Sequence, residues 1–173
     1  MSLKKKLYLV LYYGFARYLP PSSKSKLSKK IRYSICKNIF LKCGKNVNIE
    51  KGAWFGKGNE IIIGDNSGIG KNCVIHNNTI IGENVMMGPN CFFIESKHVF
   101  DNTDIPMRLQ GTVKTKCQVI IKDDVWIGRD VVIIGNKVIE KGSILGVRTV
   151  LTKNFPEFSI IGGNPSKLIR SRK

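Results

Sequence analysis

Apolar residues recur along this chain with a period of six. From Ile63 the sequence runs IGDNSG, IGKNCV, IHNNTI, IGENVM and MGPNCF, and from Ile121 it runs IKDDVW, IGRDVV, IIGNKV, IEKGSI, LGVRTV and LTKN. Upstream, CGKNVN, IEKGAW and FGKGNE hold the same frame until two extra residues precede Ile63. A helix, at about 3.6 residues per turn, would scatter these apolar residues around its axis. A long strand would need an apolar third place, where the chain instead has Asp65, Lys71, Asn77, Glu83 and Pro89. Each unit therefore reads as a very short strand followed by a corner. The fourth place carries Asn46, Asn66, Asn72, Asn78, Asn84 and Asn90, and asparagine tolerates the left-handed backbone that a sharp corner needs. The fifth place holds mostly small side chains that suit the inside of a narrow tube: Val47, Ser67, Cys73, Thr79, Val85, Cys91, Val125, Val131, Ser143 and Thr149. The repeat specifies a solenoid.

Two segments lack the period. Residues 1–42 carry apolar side chains at rough helical spacing, Leu7, Leu11, Phe15 and Tyr18, then Leu27, Ile31, Ile35 and Ile39, divided by Pro20 and Pro21. They predict two short helices that break at the prolines and cap the open first rung of the coil. The second is an excursion of residues 94–120, and insertions of that length are usually functional. It contains His98, one of two histidines in the chain. The other, His76, is second in its unit and is expected on the surface. The coil is then divided into residues 43–93 and 121–160, with a tail at 161–173.

Charge is unevenly placed. The net charge is +17, and residues 1–49 hold 12 Lys or Arg and no acid, Glu50 being the first carboxylate. A basic N-terminal segment of this kind is expected to meet an anionic surface. Lipid headgroups, nucleic acid or an acidic partner would each supply it, lipid giving peripheral membrane association through residues 1–40, and the capping role on the coil is the alternative use of the same segment. No basic-aromatic recognition motif accompanies the charge, so nucleic acid is not expected as a partner. The longest apolar stretch, Leu7 to Ala16, is about half of what a membrane span needs. Five cysteines form no CxxC pair, which fits a reducing compartment. The expected location is cytoplasmic, extending to the inner face of the membrane.

These units resemble the hexapeptide-repeat acyltransferases, most of all the maltose, galactoside and capsular or exopolysaccharide O-acetyltransferases. The resemblance covers roughly residues 43–170 and implies an all-β fold, a left-handed parallel β-helix of about five rungs with a short helical N-terminal segment and one long loop. It also implies a homotrimer with the active site between subunits and acetyl-CoA as donor. Gly88-Pro89-Asn90 through His98 to Gln110-Gly111 is similar to the family's active-site stretch, in which the histidine is the general base. The chemistry fits that residue: a hydroxyl must lose its proton as its oxygen attacks a thioester, and imidazole both accepts a proton near neutrality and returns it. Glu95, Asp101 and Asp104, together with the outward-facing Trp126, are expected at the acceptor. The resemblance places Gly128 near the thioester as an oxyanion donor. It assigns acetyl-CoA binding to Trp126, Gly128, Arg129, Gly146, Val147, Arg148, Thr152, Lys153, Asn164, Pro165, Lys167 and Arg170. No metal site is expected.

Three positions depart from the family pattern. Arg129 stands where a small residue is common, and Val147-Arg148 replaces a common Ala-Gly. Arg148 at a left-handed corner costs about 1 kcal/mol, either as strain or as the means to a phosphate contact. Lys137 falls on the inward fifth place, where an ammonium is costly, and predicts a local distortion. The leading function is transfer of an acetyl group to a hydroxyl of a capsule, exopolysaccharide or lipopolysaccharide precursor. The alternatives are a free sugar, serine, amino sugar or antibiotic as acceptor, or a non-enzymatic basic binding protein. A zinc carbonic anhydrase on the same coil would need three histidines, and the chain has two.

Overall fold

The structure, a computed structural model, describes residues 1–94, 97–113 and 117–173, Lys97 by its backbone alone. Its body is a three-sided coil of short parallel strands. The first face stacks Lys42–Cys43, Ile62–Ile63, Ile80–Ile81, Val119–Ile121 and Lys137–Ile139 in that order. The second stacks Asn48–Ile49 and Gly68–Ile69, then Met86–Met87, Trp126–Ile127, Ile144–Leu145 and Ser159–Gly162. The third begins with single bridges at Trp54 and Val74 and continues through Phe92–Ile94, Val132–Ile134 and Val150–Leu151.

The six-residue rule explains this core. First-place residues such as Ile49, Phe55, Ile63, Ile81, Phe93, Ile127 and Leu145 are buried, and so are the fifth-place Val47, Ser67, Cys73, Thr79, Val85, Cys91, Val131 and Thr149. Polar members of that ladder satisfy themselves on the backbone: Ser67 Oγ donates to Gly82 O at 2.6 Å, and Thr149 Oγ1 to Gly146 O at 2.7 Å. Cys73 and Cys91 stack as adjacent rungs, with the Cys91 N–H donating to Cys73 Sγ at 3.3 Å. The two residues inserted before Ile63 are absorbed at a corner where Gly56 and Gly58 take φ of 59° and 65°, after which Ile61 refills the inward fifth place.

The corners also follow the sequence. Asn46, Asn66, Asn72, Asn84 and Asn90 have positive φ, as do Asp124 and Asp130 in the same place. Side chains bridge successive corners, Asn90 Nδ2 donating to Asp130 Oδ1 at 2.9 Å. Third-place aspartates cap them, since Asp65 Oδ1 accepts from Lys45 N at 2.7 Å and Asp123 Oδ1 from Glu83 N at 2.8 Å.

Two expectations fail at one corner. Asn78 is not left-handed, and His76 is buried rather than at the surface. The rung above this corner leaves the coil at Ile94 and returns through Cys117 and Gln118, so the corner is roofed where others meet solvent. Gln118 Nε2 reaches Asn78 O at 3.4 Å, and the His76 ring stands edge-on to Phe93 with centroids 5.9 Å apart. Lys137 does distort its rung. Gly135 turns with φ of 68°, and the Lys137 ammonium swings back to donate to Ile134 O and Asn136 O at 2.6 and 3.0 Å. Burial lowers its pKa from the ordinary lysine value.

The N-terminal segment folds as helix α1 (Leu3–Gly14), a short turn at Ala16–Tyr18, and helix α2 (Lys26–Ile39). Ser2 and Ser25 cap the helices by accepting from Lys5 N and Ser28 N, which supplies donors their first turns otherwise leave unpaired. The pair closes the first rung: Tyr12, Ala16, Cys36, Ile39 and Phe40 pack with Val47, Ile49, Ala53 and Phe55. Tyr12 and Tyr13 hydroxyls donate to Ala53 O and Gly56 O, each at 2.9 Å. For α1 and the turn after it the buried face is not the one the spacing marked, because Leu7, Leu11, Phe15 and Tyr18 are exposed, whereas on α2 Ile31, Ile35 and Ile39 lie on the core as the spacing predicts and Leu27 alone of that set is exposed.

A fully buried arginine joins the cap to the coil. Arg32 donates from Nε to Ile49 O at 2.5 Å and from Nη1 to Leu19 O and Pro20 O at 3.2 and 2.9 Å, with Nη2 3.7 Å from Glu50 Oε2. Burial pulls the Arg32 pKa below the usual guanidinium value, and Glu50 opposes that shift. For Glu50, burial raises the carboxyl pKa, but hydrogen bonds from Ser22, Asn48 and the Lys51 amide outweigh it and hold the group below its ordinary value. Replacing Arg32 with Ala strips three carbonyls and a carboxylate of their partner, and the expected loss is about 3 kcal/mol of unfolding free energy in a denaturant titration. Since the folded Glu50 pKa is depressed, its contribution is present above the ordinary carboxylate value and vanishes as pH falls toward the folded one. Glu50→Gln should therefore flatten the acid side of the stability profile below about pH 4.5, as melting temperatures across pH will show.

Candidate active site

The excursion is an arm built on a small antiparallel ribbon. Lys97–His98 pairs with Thr112–Val113, placing His98 opposite Thr112, and Val99 N donates to Gly111 O at 3.1 Å. Gly111, with φ of 85°, makes the turn that lets the chain re-enter the ribbon. Between them, residues 101–105 fold against the one-turn helix Met107–Gln110. Gln110 clamps that fold: its Nε2 donates to Asn102 O and Ile105 O at 2.7 and 2.6 Å, and its Oε1 accepts from Asn102 N at 3.2 Å. Gln110 closes the stretch that resembles the family's active site, but its clamp on Asn102 and Ile105 is not legible in the sequence, where an amide side chain in a loop carries no signal of its backbone partners. His98 is exposed, and so are Asp101 and Asp104. Glu95, the other residue expected at the acceptor, lies outside the described residues.

The residues expected to hold the donor gather elsewhere. Gly70, Gly88, Gly128, Gly146 and Gly162 stack at the edge between the second and third faces. A Cβ on Gly88 would lie 2.7 Å from Arg129 N, and one on Gly128 2.8 Å from Leu145 O, so these glycines let rungs approach. Outside them runs an exposed strip containing Arg129, Val147, Arg148, Asn164 and Pro165. Arg148 is left-handed, with φ of 58°, and its Nε lies 3.8 Å from Asp130 Oδ2 at the surface.

The oxyanion assignment needs correction. The Gly128 N–H already donates to Leu145 O at 2.8 Å, the Asp130 N–H to Pro89 O, and the Arg148 N–H to Arg129 O. Neither the Arg129 N–H nor the Val147 N–H one rung further on has an acceptor among the described residues.

Thr152 and Lys153 lie at the next edge, between the third and first faces. Thr152 is tied to the chain's end, its N–H donating to Ser166 Oγ at 3.1 Å, while the Ser166 N–H donates to Val150 O. Beyond the turn at 163–166, the tail is not a loose extension: Lys167–Ser171 runs antiparallel to Ser159–Gly162. Lys167 and Arg170 are exposed on that returning strand.

Within one chain, then, the His98 arm and the donor strip occupy different edges of the prism. The arm leaves the third face toward the first, whereas Gly128 and Arg129 sit between the second and third. Trp126 is half exposed on the second face, in register with Met86 and Ile144, and Phe92 on the third face is similarly bare. Outward apolar residues on a rigid coil invite another subunit.

Residues 60–94 match the family model described as "Bacterial transferase hexapeptide (six repeats)". The chain is 34% identical over 155 residues to the acetyltransferase-like protein YJL218W of Saccharomyces cerevisiae, covering 88% of this chain and 74% of that one. It superposes on a galactoside acetyltransferase in complex with coenzyme A with a TM-score of 0.80 and 28% identity, over 98% of this chain and 81% of the other. On the hexapeptide-repeat acetyltransferase VCA0836 of Vibrio cholerae, complexed with acetyl-CoA, the TM-score is 0.76 with 25% identity, over 97% and 84% of the two chains. The protein belongs to the hexapeptide-repeat acetyltransferases, its coil is their left-handed parallel β-helix, and acetyl-CoA is its co-substrate.

Proposed function

We propose that the protein transfers the acetyl group of acetyl-CoA to a hydroxyl of a saccharide, with His98 as general base, in a site that a neighbouring copy completes within a homotrimer. The observation that carries this reading is the arm itself: a hydrogen-bonded ribbon holding an exposed imidazole away from the coil. The arm and the donor strip leave from different edges, which supports completion between copies, and Met86, Trp126 and Phe92 supply apolar faces for that contact. The exposed carboxylates Asp101 and Asp104, on the same arm as His98, suit the hydroxyls of a sugar, and the similar galactoside acetyltransferase is named for a saccharide. We extend the reading to a cytoplasmic enzyme that touches the membrane through its basic helical segment.

The reaction balances on these groups. His98 takes the acceptor proton as the hydroxyl oxygen attacks the thioester carbonyl, and the N–H of Arg129 or Val147 faces the resulting oxyanion. When the tetrahedral adduct collapses, the carbon–sulfur bond breaks and the departing thiolate recovers the proton from the imidazolium. Exposed Lys153, Lys167, Arg148 and Arg170 offer positive charge to the donor phosphates.

His98→Ala is expected to lower kcat by a factor of about 10²–10⁴ with an unchanged melting temperature, since the side chain is exposed. Release of free CoA thiol against a panel of sugars measures it, and full turnover in that variant removes the base assignment. Arg148→Gly separates strain from phosphate contact. Relief of the left-handed corner raises stability by about 1 kcal/mol, and a rise in the KM for acetyl-CoA without a change in kcat marks a ground-state contact to the donor.

A further inference from the structure

Helix α1 is apolar on two opposite sides. One side, with Tyr8, Leu9, Tyr12 and Tyr13, packs onto the first rung or lies against its core. The other carries Leu3, Leu7, Val10 and Leu11, exposed by 83%, 60%, 68% and 42%. At helical spacing these four fall within one stripe about 100° wide. Lys6 borders it on one side and Lys4 on the other, while Lys5 points inward and donates to Phe40 O at 3.3 Å. The stripe continues into Phe15, also exposed, at the helix end.

Nothing in the coil needs these residues. The cap is made by the opposite side, so the stripe is not the outer part of a core. Its charge surroundings narrow what covers it: the first 49 residues contain 12 basic side chains and no acid. A second copy would bring the same positive charge against the same lysines, in a chain of net charge +17. An anionic bilayer surface matches both features at once, taking the leucines and valine at the acyl boundary and the flanking ammonium groups among its headgroups.

We infer that the outward stripe of α1, Leu3, Leu7, Val10 and Leu11 between Lys4 and Lys6, is a docking surface for an anionic lipid bilayer on which the helix lies flat. This extends the membrane contact in the proposed function and is independent of which acceptor the enzyme uses. No helix among the described residues is long and apolar enough to cross the bilayer, so the attachment is peripheral. The helix lies over the first rung, at the end of the coil away from the donor strip's last rungs. Docking there leaves the rest of the prism projecting into water.

The test uses the full chain, because removing α1 would take Tyr12 from the core. Sedimentation with vesicles of phosphatidylcholine alone and with about 30% phosphatidylserine should show binding to the anionic vesicles only, weakening as salt rises. Leu7→Ser with Val10→Ser, and separately Lys4→Glu with Lys6→Glu, should each reduce partitioning about tenfold or more. All four positions are exposed, and unchanged melting temperatures verify that the fold is kept. Absence of binding, equal binding to both vesicle types, or partitioning unaffected by either double substitution overturns the inference. So does a smaller oligomer in sedimentation velocity for the Leu7→Ser, Val10→Ser protein with vesicle binding intact, which would make a second copy the occupant. Partitioning is read without turnover, so its failure leaves acetyl transfer standing, and loss of acetyl transfer leaves the docking surface standing.

Discussion

Close stacking of backbone on backbone governs this molecule. Parallel rungs lie about 4.8 Å apart, and at many of the corners the rung above leaves no room for a side chain at the second place. The glycines at the second place meet that demand. A Cβ on Gly70 would sit 2.1 Å from Gly88 O, and one on Gly64 2.7 Å from Gly82 O. Once the corners close, the strands between them are too short for a conventional core. The tube is filled instead by one large aliphatic and one small side chain per unit, which makes its volume nearly invariant along the axis. The site inherits this rigidity, since the strip of Arg129, Val147 and Arg148 is the outer rim of the same glycine stack.

How much was legible in advance follows from where the constraint is local. The first, fourth and fifth places each answer to their own rung, so the burial of Ile81 or Thr79 and the left-handed backbone of Asn90 or Arg148 could be read from spacing. What the period could not convey is what happens when a neighbouring rung is missing. His76 and Asn78 obey the frame in sequence, but the chain above them departs for the arm, and the corner becomes interior. The same limit hid the Gln110 clamp, which depends on backbone carbonyls that only a folded loop brings within reach. Gly128 shows a third kind of gap: the residue type is dictated by close packing, while the direction of its N–H is fixed by the ladder to Leu145. Amides without a partner among the described residues therefore lie at the third place, at Arg129 and Val147.

The helical cap was visible as helices, and the inward face of α2 could be read from Ile31, Ile35 and Ile39, but the inward face of α1 could not. An apolar face ordinarily marks the buried side, and that inference fails where both sides of a helix are apolar. Aromatic residues decide the matter, because Tyr12, Tyr13 and Tyr33 place hydroxyls on the carbonyls of Ala53, Gly56 and Gly44. An open end of a β-helix presents such unpaired carbonyls, and leucine offers no donor to satisfy them. Arg32 answers the same need from α2, reaching Ile49 O along with the chain between the helices.

This division of labour makes sense of the composition of the first segment. Tyr12, Tyr13, Tyr33 and Arg32 bring donors inward because the rung's end is polar. Leu9, Leu19, Ile31, Ile35 and Ile39 join them on the core, and Leu3, Leu7, Val10 and Leu11 are left on the opposite side of α1. An N-terminal cap that only sealed the coil would carry its leucines inward or none at all. Here Glu50, the first acid in the chain, is held by Ser22 and Asn48 and turned toward the buried Arg32, so the carboxylate that ties the cap to the coil is withdrawn from the outer field. What remains on the outside of α1 is hydrocarbon bordered by positive charge, a surface whose exposure costs free energy in water and whose retention on an otherwise economical fold is most simply explained by a partner that is both apolar and anionic.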